Sequence, residues 1–297
     1  MKKHNCRNPV GVSRYTGLWL ITPFIAGFAV FTLYPFISSF LLGLTEYDGI
    51  HSPEFSGLYN YKEMLSDSGF RQAVWVTLKY TFLLVPLKLA VSLLTALLLN
   101  AELKGMGIFR TVFYVPSILG SNLAVVIMWQ FLFTSGGLAE QLTGMAGLEP
   151  VSWYGEPDSA MFMIILLRLW EFGSAMIIFL NALRDIPAEY YDAAKVDGCG
   201  SVRAFFSITL PLLGRVMFLN LVLQVIAAMQ EFSAPYMLTG GGPMNGTYTI
   251  GMLIYDEMFR YHNAGYANAV SWVLFVLISA IVTVLFAVTG KSRREDI

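Results

Sequence analysis

Six apolar runs dominate the chain: Leu18–Leu44, Val74–Leu99, Ile108–Phe133, Met161–Leu183, Leu210–Met237 and Ala267–Thr289. A helix crosses a hydrocarbon core with about 20 apolar residues, and each run meets that length. The pattern predicts an all-α polytopic membrane protein with about six transmembrane helices. The first, fourth and fifth runs are long or interrupted, so tilt or local unwinding is expected there. The polar segments between them differ in character. Thr45–Gln72 is acidic and aromatic, with a surface helix expected near Tyr59–Met64. Arg184–Thr209 is long and rich in helix formers, whereas Thr239–Tyr266 opens on Gly240-Gly241-Gly242-Pro243, which cannot continue a helix.

The basic residues orient these runs. With the N-terminus inside, Lys2, Lys3, Arg7, Arg14, Lys104, Arg110, Arg184, Lys195, Arg203, Arg215, Lys291, Arg293 and Arg294 all fall on the inner side. Only Lys62, Arg71 and Arg260 fall outside, and Lys79, Lys88 and Arg168 lie within or near runs. Inner loops carry the excess of Lys and Arg, so both termini are expected in the cytoplasm.

Composition sharpens the class. The chain is 56% hydrophobic and 13% charged, with a mean hydropathy of +0.61. A soluble domain carries about 25% charged residues, so a soluble fold of this length is excluded. Cys6 and Cys199 form no CxxC pair, and His4, His51 and His262 are scattered, which leaves no disulfide framework or metal cluster. The first run is too long for a signal-peptide core and no small-residue cleavage site follows it. It reads as an uncleaved span. The net charge of −1 gives no sign of a nucleic-acid partner. Thr289-Gly290-Lys291-Ser292 ends like a phosphate-binding loop, yet Leu285 stands where that motif needs its first glycine. Neither a nucleotide nor any other cofactor is expected on this chain.

The inner segment carries the most specific pattern: Ile186-Pro187-Ala188-Glu189-Tyr190-Tyr191-Asp192-Ala193-Ala194-Lys195-Val196-Asp197-Gly198, then nine residues, then Ile208-Thr209-Leu210-Pro211. Pro187 suits a first helical turn, where its missing N–H costs nothing. Glu189 and Asp192 place negative charge near the positive end of the helix dipole. Ala193 and Ala194 keep the middle turn low, so that another surface can come close. Gly198 suits the position just past a helix end, and Ser201 is placed to cap a second short helix. The expected shape is a helix–turn–helix elbow with a small-residue face ringed by carboxylates. An ordinary linker between spans is the plainer reading of the same residues.

The order Asp192-Ala193-Ala194, Asp197-Gly198 and Ile208-Thr209-Leu210-Pro211 resembles the EAA loop of type I ABC importer permeases. Asp192 stands where that family usually has Glu, and Cys199 where it has a small residue such as Ala. Tyr34-Pro35, Leu58-Tyr59-Asn60-Tyr61, Phe109-Arg110-Thr111, Trp129 and Gly241-Gly242-Pro243 extend the resemblance over most of the chain. Leu238-Thr239, Thr247, Thr249 and Tyr255 are similar to the sugar-permease branch of maltose-permease-like, first-subunit type. The resemblance implies a type I importer fold, with residues 74–290 as the transmembrane domain and a coupling loop at 184–211. Residues 1–73 would form the N-terminus, first span and external loop, and residues 291–297 a cytoplasmic tail. It further implies that Glu189, Asp192, Ala193, Ala194, Asp197 and Gly198 couple to an ATPase. The implied partners are a homologous permease in a heterodimer, a cytoplasmic ATPase dimer that binds the ATP, an external solute-binding protein and a sugar, all at a bacterial-type inner membrane. The external loops after the third and fifth spans would receive the binding protein.

Charges inside the membrane mark the candidate path. An ionisable side chain near the bilayer centre costs at least ~2.5–3.5 kcal/mol and so faces the bundle interior or water. Arg168 and Glu171 are three apart, at a spacing that allows them to pair. Asn220, Gln224 and Glu231 recur near helical spacing, as a pore-lining stripe would, and a break is expected at Pro235. The resemblance places Gln224, Ala228 and Glu231 at or near the sugar-contacting positions of the family's maltose member. Lys79 can snorkel, whereas Lys88 lies deep enough to need a partner. A free Arg168 would favour an anion such as a glycerophosphodiester, and a free Glu231 a cation such as a polyamine. An ion-coupled transporter using Glu171 or Glu231 as a proton site is the rival from another class.

Overall fold

The computed structural model describes residues 16–101, 105–120, 122–145, 147 and 151–292. The flanking charges Lys2, Lys3, Arg7, Arg14, Lys104, Arg293 and Arg294 lie outside the described residues. Among the described residues, three helices are each long and apolar enough to span a membrane: Trp19–Leu42, Ser68–Leu99 and Ala264–Thr289. Three bent pairs supply the others: Met106–Leu119 with Leu123–Phe133, Pro157–Trp170 with Gly173–Arg184, and Ser201–Leu212 with Gly214–Met229. Large apolar side chains such as Trp19, Phe24, Phe31, Phe82 and Phe131 stand exposed along these helices. Lipid is their natural solvent, because a protein surface in water rarely carries apolar patches of that size.

The second span organises the bundle. Asp67 caps it, accepting from Gly69 N at 2.7 Å and Phe70 N at 3.2 Å. One face, Ala73, Val76, Thr77, Tyr80, Leu84, Val85, Ser92, Ala96 and Leu99, is buried at helical spacing. It packs on both halves of the fourth span and on Gly214–Met229. The first span stands apart, with none of its residues buried. It touches the last span through Phe36 and Phe40, whose rings lie 4.7 and 4.9 Å from Trp272. Trp272 Nε1 donates to Ser39 Oγ at 3.1 Å.

Two of the departures from a regular helix share one cause. The first span widens into a π turn at Ala29–Leu33 before Pro35, and the elbow's exit does so at Phe205–Thr209 before Pro211. A proline has no N–H and its ring crowds the carbonyl four residues back, so one extra residue in the turn relieves both. The fifth run also differs from expectation. Leu210–Leu212 belongs with the elbow, the chain bends by 67° ahead of Gly214–Met229, and Ser233–Thr239 is a separate helix. The break falls at Gln230–Phe232 and not at Pro235. Pro235 occupies the first turn of Ser233–Thr239, where no intrahelical N–H partner is required. The third run, not among those expected to be interrupted, is two helices, Met106–Leu119 and Leu123–Phe133.

The elbow lies at one end of the bundle; a cap of loops closes the other. There, Tyr59–Ser66 forms the expected surface helix. Asn60 Nδ2 donates to Gly43 O at 3.0 Å and Thr45 O at 2.9 Å, tying that helix to the end of the first span.

Candidate functional site

The three broken spans meet at one knot of charge. Arg168, in the last turn of Pro157–Trp170, donates from Nε to Glu231 Oε2 at 2.8 Å and from Nη2 to Glu231 Oε1 at 2.9 Å. Its Nη1 donates to both Glu171 oxygens at 2.8 and 3.0 Å. The side chains of Arg168 and Glu171 are 12% exposed and that of Glu231 11%, so the cluster is nearly shielded from solvent. Only a planar guanidinium can hold two carboxylates in this way, one of them through two parallel bonds.

Each partner sits at a break. Glu171 ends Pro157–Trp170, and the chain turns by 44° before Gly173–Arg184. Glu231 lies between Gly214–Met229 and Ser233–Thr239, and its Oε1 accepts from Ala234 N at 3.0 Å, as a helix cap does. Its carbonyl accepts from Thr249 Oγ1 at 2.8 Å. The glycine loop closes behind it: Thr247 Oγ1 donates to Gly242 O at 2.9 Å and lies 2.6 Å from Thr239 Oγ1. The Glu171 carboxyl rests directly against the Cα of Gly120, where any Cβ would collide with it. That contact brings the third span's break into the same cluster.

Arg168, Glu171 and Glu231 therefore come together, and neither Arg168 nor Glu231 is free. The rest of the expected path is distributed differently. Asn220 is fully buried and donates to Ala175 O at 3.4 Å in the fourth span. Ala228 is 3% exposed within the main core, and Gln224 is half-buried. Asn220 and Ala228 pack against neighbouring helices, while Gln230 is exposed. Just beyond Glu231 the rings of Phe232, Tyr236 and Tyr255 lie within 5.1 Å of one another, and Arg260 sits over Tyr236. Lys79 pairs with Asp158 at 2.6 Å near the cap end.

At the other end, the elbow's first helix is Ala188–Val196, with Pro187 as its N-cap and Glu189 in its first turn. Gly198 has φ +72°, its N–H bonds to Lys195 O at 3.0 Å, and Cys199 N bonds to Ala194 O at 2.8 Å. These two bonds make a Schellman stop. Asp192 pairs with Lys195 at 2.9 Å on the exposed face, and Ala193, Asp197 and Gly198 are exposed beside them. Ala194 turns partly inward over a cavity of about 290 Å³ at the elbow root. The second helix begins at Ser201, but Gly200 is its N-cap and Ser201 does not cap it. Tyr191 Oη lies 2.9 Å from Thr209 Oγ1 and ties the elbow's first helix to its exit turn.

Residues 89–292 match the family described as binding-protein-dependent transport system inner membrane component. The chain belongs to this permease family. It is 42% identical to the probable ABC transporter permease protein YesP of Bacillus subtilis (strain 168), over 91% of this chain and 89% of that one. It is 34% identical to the trehalose/maltose transport system permease protein MalF of Thermococcus litoralis, over 94% of this chain and 95% of that one. In fold it is similar to a chain of a bacterial ABC transporter that imports the acidic polysaccharide alginate, with a TM-score of 0.79, 21% identity, and coverage of 95% and 96%.

Two parts of the permease's charge knot escaped sequence reasoning. Tyr80, 1% exposed, places its hydroxyl beside the Arg168 guanidinium without a well-formed hydrogen bond. Gly120 lies inside the third apolar run, and only the packing shows that its missing Cβ admits Glu171. At the cap end, Glu63, Ser66, Asp67, Glu257, Asn263 and Tyr266 line a cavity of about 470 Å³. Burial there, with Asp67 close by, pushes the Glu257 carboxyl up.

Proposed function

We propose that this permease is a transmembrane subunit of an ATP-driven importer that receives a sugar or oligosaccharide from a solute-binding protein. The observation that carries this reading is the elbow: an exposed helix with a low Ala193-Ala194 turn, a carboxylate at Asp192 and a sharp stop at Gly198. Such a face suits insertion into a cleft of a second protein. Relatives named for trehalose/maltose, multiple sugars and arabinooligosaccharides supply the cargo class.

In this reading both termini face the cytoplasm, and a homologous permease chain completes the pathway. Two ATPase copies bind below, and the binding protein docks on the loops after the third and fifth spans. ATP is bound and hydrolysed on the ATPase subunits, and no cofactor resides on this chain. Closure of the ATPase dimer moves Glu189, Asp192, Ala193, Ala194, Asp197 and Gly198 as one body. The Tyr191–Thr209 contact and the π turn at Phe205–Thr209 pass that motion to Gly214–Met229, which ends two residues before Glu231. The displacement therefore reaches the charge knot, where the fourth and fifth spans are clamped. Gln224, Ala228, Arg168, Glu171 and Glu231 form the candidate path, opened when those spans move apart. Cargo that relies on a free Arg168 or a free Glu231 is disfavoured, because each is engaged by the other.

The binding protein tests the cargo class. Co-purified with the transporter from cells grown on mixed carbohydrates and analysed by mass spectrometry, it is expected to release a saccharide. A polyamine or amino acid in its place would overturn the sugar reading.

A further inference from the structure

The bonds of the charge knot are of two kinds. Arg168 and Glu171, the C-cap of the same helix, are three residues apart and stay together when the spans move as bodies. Glu231 is likewise held from its own side. Its Oε1 accepts from Ala234 N at 3.0 Å, and its carbonyl accepts from Thr249 Oγ1 at 2.8 Å. Of the knot's bonds, only the parallel pair from Arg168 Nε and Nη2 to Glu231 crosses from the fourth span to the fifth. The charges also close on themselves. Glu171 and Glu231 exceed Arg168 by one negative charge, and Lys88, half-buried on the second span within electrostatic range of both carboxylates, balances it. The Tyr80 hydroxyl stands outside this scheme. It is buried beside the Arg168 guanidinium without a well-formed hydrogen bond among the described residues. A buried polar atom left without a partner is rare in a folded protein and calls for a reason.

We propose that the Arg168–Glu231 pair is the latch of the transport cycle, made in the resting state and exchanged in the open state for an Arg168–Tyr80 hydrogen bond. The proposal rests on the importer reading above. When the fourth and fifth spans part, Glu231 leaves with Ala234 and Thr249. Arg168 keeps Glu171 and turns a freed N–H to the Tyr80 oxygen, so each side retains a partner. Two arrangements of one bundle can then both be populated, and small differences in binding shift the balance between them. The exchange replaces two charge-assisted bonds with one bond to a neutral acceptor, which makes the latched arrangement the stable one at rest. Coupling between the two ends is reciprocal. A pair that resists parting of the spans therefore also resists the elbow movement that accompanies closure of the ATPase dimer. Glu231 acts here as a positioning residue that holds resting ATP hydrolysis down, and Tyr80 as one that supports the open arrangement.

The test measures ATP hydrolysis by the complete transporter in proteoliposomes, with and without the binding protein carrying the solute it is purified with. Glu231→Gln keeps an oxygen for Ala234 N but loses the charge that faces Arg168. Without the binding protein it is expected to hydrolyse ATP roughly fivefold or more faster than wild type. Glu231→Asp keeps the charge with one methylene less reach and is expected to show a smaller rise. Tyr80→Phe is expected to move the other way, losing most of the increase that the binding protein brings. Asn60→Ala removes two hydrogen bonds at the cap end, outside the knot, and is expected to lower the melting temperature at wild-type rates of hydrolysis. Resting hydrolysis that is unchanged or lower in both Glu231 variants, or raised as much by Asn60→Ala, overturns the latch and leaves the importer standing. Full stimulation of Tyr80→Phe overturns the exchange. Failure of both Glu231 variants to assemble with the ATPase also overturns the latch, because the pair would then hold the fold in every state. Absence of hydrolysis by wild type in both conditions overturns the importer reading together with the proposal.

Discussion

Replacing Arg168 with methionine is expected to deplete folded permease from the membrane, because it leaves Glu171 and Glu231 facing each other without a counter-charge. Breaking a buried ion pair by removing one partner costs about 3–5 kcal/mol. Net stabilities run only to about 5–15 kcal/mol, so this single change removes a large share. The loss extends beyond charge, since the clamp joins the fourth span's break to the fifth span's break. Arg168→Lys should recover part of the stability, because one ammonium cannot form the two parallel bonds to Glu231. The triple variant Arg168→Met, Glu171→Gln, Glu231→Gln should recover more, because the two carboxylates no longer face each other as charges. Thermal melting of the detergent-extracted chain, followed by size-exclusion chromatography, orders the four proteins. A single Arg168→Met variant as stable as wild type would show that the knot does not clamp the spans.

Gly198→Leu is expected to cut uptake at least tenfold while the protein stays at its normal level in the membrane. A residue with a Cβ pays about 1–2 kcal/mol in the left-handed conformation that φ +72° imposes. Within this chain nothing lies within 4 Å of the added Cβ, so no packing is lost. The fold therefore survives, and the side chain projects where the ATPase is expected to dock. Gly198→Asn separates the two contributions, since asparagine tolerates that conformation but still adds bulk. Uptake restored by asparagine would assign the effect to backbone strain; uptake lost in both variants would assign it to docking. By contrast, Asp192→Asn removes an exposed pair with Lys195, worth only about 0–1 kcal/mol, so any large loss of transport there also reports on docking.

Much of this was legible in the sequence, because membrane helices announce themselves through length and composition. The six runs, the surface helix near Tyr59 and the elbow's glycine stop follow from hydropathy and turn chemistry alone. The Arg168–Glu171 spacing allowed a pair, and the structure forms it. What the sequence could not show is the addition of Glu231 at a distance of 63 residues. Long-range pairing depends on how helices pack, and no local pattern encodes it. The same limit explains the stripe Asn220, Gln224, Glu231. Its helical spacing suggested one face, but only packing shows that Asn220 meets the fourth span at Ala175. The position of the fifth span's break was misplaced for a local reason. Proline is disruptive inside a helix yet harmless in its first turn, and which applies to Pro235 depends on where the helix starts. Gly120 gave no signal, since a missing Cβ matters only when a neighbour fills the space.

The account stands on energy arriving from outside this chain through the elbow. Uptake of labelled oligosaccharide into proteoliposomes holding the whole transporter, with a proton ionophore present, tests this directly. Uptake is expected to continue with ATP and to stop when ATP is withheld. Uptake that persisted without ATP and collapsed with the ionophore would make Glu171 or Glu231 a proton site and contradict the account.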